Sequence, residues 1–99
     1  MQHKLVKNQS RVKKEFHLEL TSAFTKFRSN AQVDRFLHDL LTPAEYDELS
    51  LRLQIVKLLH RGLTIRDVSM RLGVALATVV RGARELKYSK LRGFHELLK

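Results

Sequence analysis

A chain of 99 residues, 43% hydrophobic and 29% charged, has the composition of one globular domain, which excludes a disordered chain. It contains no Cys, which excludes disulfides and thiolate metal sites, and no apolar run approaches membrane-spanning length. The formal charge of +9 sits at two ends: Lys4, Lys7, Arg11, Lys13 and Lys14 open the chain without an acid, and Arg61, Arg66, Arg71, Arg81, Arg84, Lys87, Lys90 and Arg92 are countered only by Asp67 and Glu85. The middle is slightly acidic, so the distribution predicts a polyanion partner. With no apolar signal core at the start, a cytoplasmic protein without a membrane partner is expected.

One Pro and four Gly favour long helices over many short strands. Residues 1–9 show no sustained apolar period and read as a flexible basic arm, leaving residues 10–99 as a single helical domain. Val12, Phe16, Leu20, Phe24 and Phe27 recur at helical spacing. Ser29 and Asn30 interrupt the stripe, and Val33, Phe36, Leu37, Leu40 and Leu41 begin a second. Thr42-Pro43-Ala44-Glu45 places Thr at an N-cap, Pro at the first helical position and Glu where a capping box requires it. In this third helix Leu49, Leu53, Val56 and Leu59 are expected to carry the buried face, with Gly62 as its end. A fourth helix starts at Thr64, with Asp67 three residues on, and ends at Gly73. A fifth runs from about Leu76 to Lys87, and a short sixth covers Leu91–Leu98. The fold class is all-α, with about six helices. A chain this short is expected to complete its core as a homodimer.

The stretch Thr64–Gly82 reads TIRDVSMRLGVALATVVRG. Val68 and Leu72 share one face of the fourth helix, and Ser69 is small enough for the next helix to cross closely. Gly73 supplies the left-handed backbone of a sharp turn, and Val74 and Val79 close the small core. Two short helices joined this way match a helix-turn-helix, over 64–87, whose second helix enters the major groove of double-stranded DNA. The expected DNA-facing residues are Arg66, Ser69, Leu76, Ala77, Thr78, Val80, Arg81, Arg84 and Lys87. Thr78 offers a hydrogen bond to a base edge or phosphate, Ala77 and Val80 offer contact with a thymine methyl, and the cations are suited to phosphates or bases. With few long polar side chains at the tip, readout through water or DNA shape is also open.

Gly82 stands in the middle of that helix, where Gly costs roughly 1 kcal/mol relative to Ala. Two readings follow: close packing against a neighbouring helix, or a notch beside Arg81 for a ligand. On the notch reading, Val at this position is expected to leave stability equal or higher and to abolish a ligand response.

Residues Leu41 to Lys87 resemble the tryptophan repressor family. The resemblance is carried by LTPAE, LRLQIVKLLHRG and LGVALATVVRGARELK, and most specifically by Leu-Gly-x-x-x-Ala-Thr-x-x-Arg-Gly; the N-terminal helices agree in pattern only. It implies an intertwined homodimer acting as a sequence-specific transcriptional regulator, a repressor, with L-tryptophan or a related small amino acid as co-repressor. It further implies that Arg52 and Arg81 sandwich the ligand's ring, that Arg81 pairs with its carboxylate, that Leu41 and Thr42 lie at the rim, and that Gly82 leaves room. Planar guanidinium groups independently suit an aromatic ring and a carboxylate. Two features set the chain apart. Glu85 stands where tryptophan-sensing members usually place a small hydroxyl residue, either to hold the ligand's amino group or to pair with Arg81 one turn back. The interval from Gly62 to Gly73 is also one residue shorter.

Rival readings are a ligand-independent DNA binder of the same fold, which accounts for both departures, and a helical module for proteins or membrane surfaces, to which the Phe-rich first helix and Lys13 and Lys14 are suited. The capped short helices and the Gly73 turn have no purpose in the latter. An enzyme is not expected: Asp47 and Glu48 diverge on a helix, His3, His17, His38, His60 and His95 lack metal spacing, and no phosphate loop or nucleophile motif occurs.

Overall fold

Among residues 13–98, which the computed structural model describes, there are six α-helices and no strand. They are α1 (Lys14–Phe24), α2 (Asn30–Leu40), α3 (Pro43–His60), α4 (Ile65–Leu72), α5 (Leu76–Lys87) and α6 (Gly93–Leu98). The expected basic arm, residues 1–9, lies outside the described residues. The packing divides into two units, one ending at Leu40 and one starting at Leu41.

In the first unit Phe16, Leu20 and Phe24 of the first stripe fall in α1 and Val33, Phe36, Leu37 and Leu40 of the second in α2, while Val12 lies outside the described residues. Ser29 caps α2, its Oγ accepting from the Gln32 N–H at 3.2 Å, while Gln32 Oε1 accepts from the Arg28 N–H. The two helices meet through Phe36, whose ring packs edge-on to Phe24 at 5.5 Å and tilted against Phe27 at 5.1 Å. Neither helix contains a buried residue. Phe16, Leu18, Leu20 and Phe24 are all exposed, Leu18 by 57%.

The second unit is organised on α3, which contacts α4, α5 and α6, while α4 and α5 also contact each other. Its start follows the local sequence closely. Thr42 Oγ1 accepts from the Glu45 N–H at 3.1 Å, and Glu45 Oε1 accepts from the Thr42 N–H at 2.8 Å, behind Pro43 in the first turn. At its end Gly62 takes φ +98, its N–H donating to the Leu59 carbonyl and that of Leu63 to the Leu58 carbonyl. This pair of bonds satisfies carbonyls that the last helical turn leaves free.

The buried face of α3 agrees with the expected one at Val56 and differs elsewhere. Ile55, Val56 and Leu58 are buried, Leu53 and Leu59 only half-buried, and Leu49 is 45% exposed. Apolar residues occur nearly all round this helix, so spacing alone does not select a side; α4 and α5 do, by packing on Ile55 and Leu58. The resulting core joins those two to Val68 of α4 and Val79 of α5, with Leu51, Leu63, Ile65, Leu72 and Val74 around it.

Candidate functional site

The α4–α5 pair has the form of a helix-turn-helix. Thr64 caps α4, its hydroxyl accepting from the Asp67 N–H at 3.1 Å. Gly73 ends it in the left-handed region, φ +68 and ψ +36, donating to the Ser69 carbonyl. Ser69 Oγ donates to the Val74 carbonyl at 2.6 Å, tying α4 to the residue that leaves the turn. Val68 and Val79 are completely buried between the helices, which fixes how α5 crosses α4. Unlike α3 and α4, α5 has no side-chain cap, because its N-cap is Ala75. The Thr78 N–H donates to the Ala75 carbonyl at 3.0 Å, and the amides of Leu76 and Ala77 are left to water or to an anion.

Outward from this core, α5 exposes Leu76, Ala77, Val80, Arg84 and Lys87. Lys87 Nζ lies 5.5 Å from the ring centre of Tyr88. On α4, Arg66 and Arg71 are exposed. Of these two, Arg66 belongs to the DNA-facing set expected from the sequence and Arg71 does not. Four cations thus accompany a solvent-facing helix whose own tip is apolar.

Between α3 and α5 lies a cleft of about 260 Å³, lined by Glu48, Leu51, Arg52 and Ile55 from α3 and by Thr78, Arg81, Gly82 and Glu85 from α5. Each set is spaced i, i+3, i+4, i+7, so each helix contributes one continuous face. Leu51 and Ile55 offer an apolar surface, and Arg52, Arg81, Glu48 and Glu85 offer two charges of each sign. Among the described residues none of these four side chains is in an ion pair; the one found there joins His38 and Asp34 on α2 at 3.4 Å. The expected alternative, Glu85 closing on Arg81, is not formed. A cleft with free guanidinium and carboxylate groups around an apolar floor is chemically suited to a small zwitterion with an apolar body.

Gly82 serves the close-packing reading directly. A Cβ built there would stand 2.6 Å from Ile55 Cγ2. The expectation that Val at this position would fill open space without loss of stability is corrected: the space on that side is already occupied by Ile55. Gly82 still borders the cleft, so the absent side chain permits both the contact and the opening beside it.

The chain matches the family described as Trp repressor protein over residues 15–99. It belongs to the Trp repressor family. Its relatives include Trp operon repressor homologs of Vibrio campbellii, 42% identical over 59 residues (59% of each chain), of Vibrio vulnificus, 46% over 57 residues (57% of this chain, 56% of the relative), and of Actinobacillus succinogenes, 41% over 64 residues (64% and 62%). The chain thus spans about 60% of the length of these curated relatives. No solved structure matches it significantly.

With the family known, the expected site residues fall into two groups. Arg52, Arg81, Gly82 and Glu85 come together in the α3–α5 cleft, whereas Leu41 and Thr42 do not line it and the Thr42 hydroxyl is engaged in the α3 cap. Of the DNA-facing set, Arg66, Leu76, Ala77, Val80, Arg84 and Lys87 are exposed. Thr78 is half-buried and lines the cleft, Arg81 is exposed along it, and the Ser69 hydroxyl is used within the turn. Glu48, Leu51 and Ile55 were missed in the sequence, although their spacing around Arg52 places them on its face of α3.

Proposed function

We propose that this protein is a homodimeric, sequence-specific transcriptional repressor that binds double-stranded DNA through α5 and takes L-tryptophan or a closely related amino acid in the α3–α5 cleft. The observation that carries DNA binding is the α4–Gly73–α5 arrangement, with α5 facing solvent among Arg66, Arg71, Arg84 and Lys87. The names of the relatives, Trp operon repressor homologs, support repression and the ligand. In the cleft, Arg52 and Arg81 suit the faces of an aromatic ring and a carboxylate, and Glu85 and Glu48 suit an ammonium. A ligand in contact with Arg81 would adjust the position of α5, coupling the two sites through one helix.

A ligand-independent repressor of the same fold is the second reading. It is favoured by the presence of Glu48 and Glu85 in the cleft, which add negative charge where a carboxylate ligand must enter.

Selection of duplexes from a random pool, with and without L-tryptophan, separates the two. The first reading expects enrichment that depends on tryptophan; enrichment indifferent to every amino acid supports the second, and no enrichment at all overturns both. Lys87→Ala is expected to weaken all duplexes alike and to reduce the salt slope by about one phosphate contact. An unchanged slope would remove Lys87 from the interface. The chain has no Trp of its own, so emission from added tryptophan reports binding directly.

A further inference from the structure

The outer face of α5 has an unusual chemistry for a helix that is to distinguish bases. In its first two turns the exposed side chains away from the α3–α5 cleft are Leu76, Ala77 and Val80, with Leu76 48% and Val80 45% exposed, while the exposed Arg81 borders the cleft. None of the three carries a donor or an acceptor. Thr78, the hydroxyl in this stretch, is half-buried and turned to the cleft, and Arg81 lines the same cleft. The Ser69 hydroxyl already donates to the Val74 carbonyl.

We propose that Leu76, Ala77 and Val80 form an apolar reading strip that recognises the C5 methyl groups of thymines in the major groove. The inference rests on the DNA-binding reading above and specifies what that helix detects. Each base pair presents in the major groove a pattern of donors and acceptors, and thymine adds a methyl group. Side chains without polar atoms cannot pair with the donor and acceptor pattern, and burying an amide or carbonyl edge against them without a partner is costly. The methyl is the feature of the groove that it complements. Arg84 and Lys87 on the same helix, and Arg66 and Arg71 on α4, flank the strip with positive charge, which draws a phosphate backbone and opposes a basic partner. Three side chains are also far fewer than the roughly 20–30 residues a side of a stable protein interface. The strip is of a size to meet one or two base steps.

The test uses the full chain and the best duplex from the selection. Each thymine is replaced in turn by deoxyuridine, which removes the methyl and leaves the hydrogen-bonding edge intact. The expected result is a loss of about fourfold in affinity per methyl contacted, the worth of one buried methyl-sized group, at one or two adjacent positions in each half-site. Leu76→Ala and Val80→Ala, both at exposed positions, are expected to fold normally and to bind thymine and deoxyuridine duplexes with nearly equal affinity at the affected positions. Thymine and deoxyuridine duplexes bound equally by the unaltered protein, or a methyl effect that survives in both variants, would overturn the inference while DNA binding stands. So would variants that leave DNA binding intact and instead change the sedimenting mass, since the strip would then be a protein contact. If no duplex is enriched at all, the DNA-binding reading itself fails, and the strip's proposed role with it.

Discussion

Gly82 is the residue at which a small change has the most direct physical consequence. Its position brings α5 against α3 at Ile55, whose Cγ2 sits on a stiff β-branched carbon and cannot swing away as the end of a long side chain would. Gly82→Ala gains helix propensity, roughly 1 kcal/mol, but must displace that methyl, and overpacking of this kind costs about 1–3 kcal/mol. The expected outcome in urea denaturation is a net loss of stability, with part of it recovered in Gly82→Ala/Ile55→Leu, where the offending branch is gone. A gain of stability in the single variant would mean that α3 and α5 are not held at this separation. The residue was conspicuous in the sequence as a mid-helix Gly, but a contact and a notch call for the same letter. Only the neighbour distinguishes them, and Ile55 is 27 positions away.

At the scale of the element, α4 shows how much depends on its two ends. It has eight residues, too few to be stable alone in water, and is held by the Thr64 cap, the Gly73 turn and the burial of Val68. Gly73 has φ +68 and nothing within 4 Å of where a Cβ would stand. Gly73→Ala therefore meets no clash and pays only for the left-handed backbone, about 1–2 kcal/mol. Thermal or urea unfolding is expected to show that loss; an unchanged midpoint would place the strain elsewhere. Signals of this local kind were legible in advance. Thr42 with Glu45, Thr64 with Asp67, Gly62 and Gly73 all occupy the positions their sequence spacing indicates, because a cap involves residues only three or four apart. The buried side of α3 was not legible, since Leu49, Leu51, Leu53, Ile55 and Leu59 point in several directions and α4 and α5 decide among them. For the same reason Arg52 and Arg81 were readable as cleft residues through the family motif, while Glu48, Leu51 and Ile55 were not.

For the whole molecule, the feature that calls for a partner is the absence of any buried residue in α1 and α2. Phe16, Leu18, Leu20 and Phe24 on α1 leave more apolar surface in water than scattered single residues do. Sedimentation at micromolar concentration is expected to give twice the chain mass, 23 kDa from the 11.6 kDa chain; a clean monomer would overturn the homodimer. The same exposure has a consequence in time as well as in mass. The amides of α3 lie in a helix anchored by Ile55, Val56 and Leu58 within its own chain, so they are expected to trade hydrogen for deuterium at a rate independent of protein concentration. Those of α1 have no such anchor, and their protection is expected to fall as the sample is diluted, making one end of the molecule a clock for its own association.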